Sequence, residues 1–414
     1  MDIMIILQLI VLLGAIYIGV RLGGIGIGYA GGAGVLVLGL CLGMKPGNIP
    51  WDVIMIIGSV IAAISAMQLA GGLEYLVYIA EKILYKNPKY INYLAPIVTY
   101  VLTIFAGTGH TAFSMIPVIV EVAKGENIRP SVPLSMSVVS SQVAITASPV
   151  SAAAIFMTGA LEPFGWSYPT LLGIWILTTF VGCMLTAFIM THISKLDLSS
   201  DPIYQERLKE GLVKPPVGLQ EMVITPTAKL SVWIFLVGVL CVVAYASAIS
   251  PAVGLIKPVV VPRDAAIISL MLAVGALITI FCKIKLGDVA GTSVFKSGMV
   301  ACICVLGVAW LGDTFVSGHT KEIKDFASHT ISQYPALLAI VFFLASMLLY
   351  SQAATAKGIT PTVIAALGIT TANPDNSYML VACFAAVSGI FVLPTYPTVL
   401  GAIQMDDTGT TRIG

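Results

Sequence analysis

Hydrophobic residues run in blocks along this chain, and polar residues fall between the blocks or, in four places, inside them. Uninterrupted apolar runs occupy 3–20, 23–43, 53–70, 168–194, 229–250, 262–282 and 297–316. Each is close to the roughly 20 residues that a helix needs to cross a bilayer. One long polar segment, 195–228, divides the chain near its middle, where a linker between two repeats belongs. The expected fold is an all-α polytopic membrane protein. The first run has no basic residue ahead of it and many apolar runs behind it, so it reads as a span that stays rather than a cleaved signal.

The four interrupted runs come in two matching sets. GTGHTAFSMIP (107–117) and SQAATAKGITP (351–361) both place a threonine five residues in, Thr111 and Thr355, and a proline eleven in, Pro117 and Pro361. Downstream lie VSSQVAITASPVS (139–151) and VSGIFVLPTYPT (387–398), in which Ser140 and Ser388 each stand nine residues before a proline. Paired interruptions at corresponding places in two halves point to a transporter's binding site. The chain then reads as a first repeat, 1–194, with a hairpin at 91–123 and a broken helix at 131–161, and a cytoplasmic linker at 195–228. The second repeat, 229–414, carries a hairpin at 334–372 and a broken helix at 376–404, without a counterpart of the first repeat's closing span. Hairpin arms of about 15 residues make about 22 Å of helix, short of the roughly 30 Å hydrocarbon core, which favours re-entrant hairpins. With the N-terminus outside, 15 of the 21 Lys and Arg residues face the cytoplasm, and the halves become inverted copies.

Composition narrows the function. The chain is 58% hydrophobic and 10% charged, with a net charge of +1, so it is solvated by membrane lipid and shows no electrostatic footprint for nucleic acid. The seven cysteines form no CxxC pair and the four histidines no HExxH, so neither a metal site nor a disulfide framework is expected. Gly26-Ile27-Gly28-Tyr29-Ala30-Gly31 matches GxGxxG but lies in an apolar run, where Gly24, Gly28 and Gly32 have the spacing for close helix packing. Trp310-Leu311-Gly312-Asp313 and Ala386-Val387-Ser388-Gly389 each miss a glycine required of an intramembrane protease, and no Walker motif is present. The chain is therefore not expected to be an enzyme. Asp313 and His319 read as an interfacial pair at the end of a span.

The breaks offer hydroxyls, amides and free helix ends. Thr108, Thr111, Ser148, Ser151, Ser351, Gln352, Thr355, Thr395 and Thr398, with Gly109 and His110 in the first break and Lys357 in the second, are the substrate-binding candidates. Ser148-Pro149 and Thr360-Pro361 each read as an N-cap followed by proline at the first helical position. Helix N-termini carry about half a positive charge each, so several together suit a small anion. Ionisable groups at membrane depth, here His110 and Lys357, are functional by default.

The runs RLGGIGIGYAGG (21–32), KPGNIPWDV (45–53), AISAMQLAGGL (63–73), NPKYINYLAPIVTYVLTIFAGTG (87–109), AITASPVSAAA (144–154), CICVLGVAWLGDTFVS (302–317), LLYSQAATAK (348–357) and LPTYPTVLGAIQMDDTGTTRIG (393–414) closely resemble the anaerobic C4-dicarboxylate transporters of the Dcu family. The resemblance covers nearly the whole chain. It implies a bacterial inner-membrane carrier that exchanges aspartate, fumarate, malate and succinate. It also implies kinship with the ion-transporter superfamily, whose dimers move a substrate domain like an elevator, and chains that continue past TTRIG into a last hydrophobic span. The expected partners are C4-dicarboxylates, lipid and a second copy of the chain. No cofactor is implied, and protons and sodium both stand as coupling ions. A gated organic-anion channel is the alternative, since channels also use helix ends and hydroxyls.

Overall fold

The computed structural model describes residues 3–22, 25–109, 112–215, 223–250, 253–319, 321–322, 334, 336–349, 351–392 and 396–411. Among these residues the chain is helical and no strand forms; the only β-type pairings are the isolated bridges Ile128 to Asp197 and Thr370 to Asn373. In chain order the helices are α1 (Ile3–Leu22), α2 (Gly26–Leu40), α3 (Trp51–Leu69), α4 (Gly72–Lys86), α5 (Ile91–Ala106), α6 (Ala112–Gly125), α7 (Ser131–Val143), α8 (Ala152–Leu161) and α9 (Tyr168–Ile193). There follow α10 (Pro202–Lys209), α11 (Pro226–Ile249), α12 (Arg263–Cys282), α13 (Ser293–Gly318), α14 (Leu337–Leu349), α15 (Gln352–Ala366), α16 (Ser377–Cys383) and α17 (Pro397–Met405). Seven helical segments are long and apolar enough to cross a membrane, the broken stretch Ser131–Phe164 among them. The protein is a multi-pass membrane protein.

Local sequence sets where the spans begin. Ser167, Thr225 and Thr292 sit just before α9, α11 and α13, and each side chain accepts a backbone N–H of the first turn. Pro169 and Pro226 follow within the first turns of α9 and α11, where a missing N–H costs nothing.

Packing is densest within two sets of helices, which share one core and meet where α15 lies on α13. In the first, α2 lies on α13 and α1, while α3 and α11 pack on α12. Gly28 and Gly31 of α2 face Ile303 and Gly307 of α13 so closely that a Cβ on Gly28 or Gly307 would fall on the opposing backbone. The sequence spacing pointed to Gly24, Gly28 and Gly32; in the structure Gly32 meets nothing within 4 Å, and Gly24 lies outside the described residues. The contact follows Gly28, Gly31 and Gly34 because a three-residue step keeps to the face turned to α13. At one end of this group, Asp313 accepts the Asn48 N–H at 2.6 Å and His319 Nε2 lies 2.7 Å from Gln8 Oε1, so both residues have structural partners.

In the second group α5 packs on α7, α9 on both, α15 on α8, and α14 on the 3-10 turn 384–391. Trp175 of α9 holds the second broken run: its ring packs tilted at 4.5 Å against Phe384, and its indole N–H donates to the Val381 carbonyl. The polar linker is tied to this group. Asp201 caps α10 and pairs with Arg129 at 2.6 Å, and Asp407 pairs with Lys124 at 2.8 Å. Asp406 is buried and accepts the hydroxyls of Thr408, Thr410 and Thr411. Hydrogen bonds from the Ser199 hydroxyl first, and from Asn127, hold the Asp197 carboxyl below its ordinary range.

Replacing Gly307 by Val is expected to separate α2 from α13 and cost about 1–3 kcal/mol or more, the range for overpacking a tight contact. Gly312→Ala on the same helix meets open space and should be nearly neutral. Melting temperatures of the detergent-solubilised variants measure the difference.

Candidate functional site

The first broken run unwinds in steps. After α7 come a 3-10 turn, Ala144–Ala147, an extended Ser148 and an extended Ser151, and then α8. Pro149 explains the change, because the residue before a proline is pushed out of the helical region. The cap of α8 is Ser151, whose Oγ accepts the Ala154 N–H at 3.2 Å. The expected cap, Ser148, instead donates to the Ile104 carbonyl at 2.6 Å, as Ser151 does to Ile145. Both hydroxyls thus satisfy carbonyls in or beside the break. Thr99 Oγ1 donates to the Ser137 carbonyl, so α5 runs alongside this broken run from 99 beside 137 to 104 beside 148. Gly107, at the end of α5, turns with φ +66°, and a Cβ there would lie 3.0 Å from Val150.

The second half is built on the same plan. Ser351 precedes α15 and its Oγ accepts the Ala354 N–H at 3.2 Å. Thr360-Pro361, expected to start a helix, lies inside α15, as Pro117 lies inside α6. Packing of α15 on α8 carries the helix through the proline, with Thr360 Oγ1 against Met157 Sδ at 3.5 Å. Thr355 is fully buried and donates to the Ser351 carbonyl. The last broken run passes through a 3-10 turn, Phe384–Phe391, and resumes at α17 with Pro397 in its first turn. Helices therefore begin at 112, 152, 352 and 397, one at each break.

These segments meet on Gln142 of α7, a residue outside the predicted set. Gln142 is completely buried. Its Nε2 donates to Thr398 Oγ1 at 3.2 Å and to Ser141 Oγ at 3.3 Å, and its carbonyl accepts from Gln352 Nε2 at 3.3 Å. A Cβ added to Gly109 would fall on the Gln142 carboxamide. Residues from the other three interrupted runs thus meet Gln142, Thr398 and Gly109 at its carboxamide and Gln352 at its backbone carbonyl. Among the described residues Gln142 Oε1 has no hydrogen-bond partner, and an unpaired buried acceptor costs about 1–3 kcal/mol. The sequence signal was the polar triplet Ser140-Ser141-Gln142 in an apolar run, since polar groups at that depth are costly.

Of the predicted residues, the structure brings Gly109, Gln352 and Thr398 to Gln142. It places Ser148, Ser151, Ser351 and Thr355 at the breaks with their hydroxyls engaged by backbone. Thr108 lies in the turn after α5. His110, Thr111 and Thr395 lie outside the described residues. Lys357 is not part of the Gln142 group: its ammonium is paired with Asp52, at the start of α3. Beside that pair is a cavity of about 350 Å³ between α3, α8 and the start of α12. Among the described residues the breaks offer an anion helix starts and amide N–H groups, which suit one small enough to be held by dipoles.

Comparison with known proteins agrees with this chemistry. The family model described as anaerobic C4-dicarboxylate membrane transporter matches residues 4–414. The chain is 64% identical over 407 residues to the C4-dicarboxylate transporter DcuA of Helicobacter pylori strain J99, covering 98% of this chain and 92% of the relative. It is 54% identical over 411 residues to DcuA of Escherichia coli K12, covering 99% and 93%. Identity to the anaerobic C4-dicarboxylate transporter DcuB of Escherichia coli O6:H1 is 37% over 421 residues, covering 99% and 92%.

Gly107→Ala is expected to lower unfolding free energy by about 1 kcal/mol from the left-handed backbone alone, and further through the contact with Val150. Gly43, with φ +67° and nothing within 4 Å, isolates the backbone contribution. Gly107→Ala should therefore lower the denaturation midpoint in detergent more than Gly43→Ala does.

Proposed function

The chain belongs to the anaerobic C4-dicarboxylate membrane transporters, and on that premise we propose that it is a secondary carrier exchanging C4-dicarboxylates at Gln142. Membership in a transporter family sets it apart from enzymes. The observation that carries the proposal is the convergence of the four interrupted runs on one buried residue, Gln142, where Gln352 and Thr398 bring amide and hydroxyl donors together. A C4-dicarboxylate carries two ionised carboxylates at pH 7, since carboxyl pKa values lie near 4, and aspartate adds one ammonium. The carboxylate charge is met by the helix starts at 112, 152, 352 and 397, each worth about half a charge. Gln352 and Thr398 supply directional hydrogen bonds, and aspartate, fumarate, malate and succinate all fit this description. Any coupling ion, proton or sodium, is secondary to exchange in this reading.

In the same proposal the two halves are inverted repeats with re-entrant hairpins. Support comes from the charge pattern and from the shared plan of helix, 3-10 turn, break and helix in both runs. The N-terminus is periplasmic in the bacterial inner membrane. The hairpins and broken runs form a body that moves, elevator-like, against α1–α3 and α11–α13. The chain works as a homodimer. Because the glycine face of α2 is used within the chain, the dimer contact falls to its outward residues Tyr29, Leu36 and Leu40, all exposed.

Preloaded succinate is expected to accelerate uptake of labelled aspartate into liposomes. Uptake indifferent to internal substrate would indicate a channel and overturn the exchange reading. Gln142→Leu, which keeps the bulk and removes the amide that holds Thr398 in place, should weaken dicarboxylate binding by about 1–3 kcal/mol, the range for leaving a buried hydrogen-bond partner unpaired, with protein yield retained. Isothermal titration of the purified variant reads this directly, and unchanged affinity would place the site elsewhere.

A further inference from the structure

Among the described residues four ion pairs form, and they divide by location. Lys124 with Asp407 and Arg129 with Asp201 lie within the hairpin and broken-run group and its linker. The other two cross between the helix groups. Lys357 on α15 pairs with Asp52 at the start of α3, and Arg263 at the start of α12 pairs with Glu162 just after α8. Both crossing pairs are at the same end of the molecule, the end that the charge pattern places outside. No described ion pair joins the two groups at the opposite end.

The surroundings of the crossing pairs separate them from the substrate site. Asp52, Val53, Ile56 and Asp264 line one side of the cavity, and Ala152, Ile155, Phe156, Gly159 and Ala160 of α8 line the other. The space between the helix groups at this end is therefore open rather than filled by interlocked side chains. Arg263 also lies 5.2 Å from the ring of Tyr168, so it is held from two directions. Lys357 and Asp52 are partly exposed, at 23% and 39%, and partly solvated pairs are weak enough to open and reform. Lys357–Asp52 is the more easily opened of the two, since Arg263 and Glu162 are largely buried at 9% and 14%, and together the two contacts tie the helix groups at one end only.

We propose that Lys357–Asp52 and Arg263–Glu162 form a two-point ionic latch that holds the helix groups in the described arrangement and must open before they move. The proposal rests on the exchange reading above, because a latch has meaning only if the groups change places. It assigns Lys357 to conformational control rather than to contact with the bound dicarboxylate. Neutralising one partner removes one of two points of attachment, so the described arrangement becomes less populated. Reversing both charges of a pair restores the attachment, which a purely local packing role would not do.

The experiment uses Gly159→Cys, since that position lines the cavity and a side chain there meets nothing within 4 Å. Modification by a membrane-impermeant thiol reagent is followed in proteoliposomes, above the level of the parent chain, with and without succinate. Succinate is expected to change the labelling rate. Without substrate, Asp52→Asn and Glu162→Gln should each slow labelling at least about threefold, and Asp52→Lys combined with Lys357→Asp should return it toward the parent rate. If succinate changes the rate but neither neutral variant does, the latch is wrong and the exchange reading stands. Failure of the double reversal to restore what Asp52→Asn removes would likewise overturn it. If succinate has no effect on labelling and counterflow is also absent, both proposals fall, because groups that do not move need no latch.

Discussion

Every break in a helix within an apolar surrounding frees backbone N–H and C=O groups, and each one left unpaired costs several kcal/mol. The architecture depends on how this chain meets that requirement four times over. Ser148 and Ser151 bond to the Ile104 and Ile145 carbonyls, Ser351 receives the Ala354 N–H, and Gln352 reaches the Gln142 carbonyl. The 148–151 break is repaired partly by α5, and Gln352 bonds across to α7, so these breaks lean on neighbouring segments. That mutual repair explains why the interrupted segments gather at one place. The helix starts gathered there, with their unbonded N–H groups, are what an anion would bind.

The same requirement separates two kinds of polar residue that look alike in sequence. A serine or threonine at a break has short reach and many backbone groups beside it, so its hydroxyl is taken up locally; Ser148, Ser151 and Thr355 behave this way. A glutamine has the length to bridge between segments. Gln142 and Gln352 do so, and among the described residues Gln142 Oε1 has no hydrogen-bond partner. Bridging amides, more than hydroxyls, are therefore the side chains that tie one break to another.

Much of the framework was legible in the sequence because helix length and apolar character are one-dimensional properties. The long runs at 168–194, 229–250 and 262–282 appear as α9, α11 and α12 with ends shifted by no more than a few residues. The unwinding around 148–151 was legible from Ser148-Pro149 within an apolar run. What sequence hid were choices made by tertiary packing. A proline can begin a helix or sit inside one, and α15 runs through Pro361 because it packs along α8. Three glycine spacings are available in α2, and the backbone of α13 selects one. Lys357 lay in a break by position, but nothing in sequence announced a carboxylate some 300 residues away as its partner; Asp52 is that partner.

Charge placement follows from these choices. A lysine beside the Gln142 carboxamide would add a full charge to a site that helix ends already make positive, and it would hold a dianion tightly. A carrier must release its substrate on both faces, so excessive ground-state affinity slows turnover as surely as weak affinity slows loading. Distributing the positive potential over several half-charges, each falling off within a turn of its helix, gives affinity that changes as the segments shift. In the described arrangement Lys124, Arg129, Arg263 and Lys357 are engaged with carboxylates away from Gln142. In the proposed reading these permanent charges govern how helix groups associate while dipoles and amides meet the substrate, so binding and movement fall to different residues.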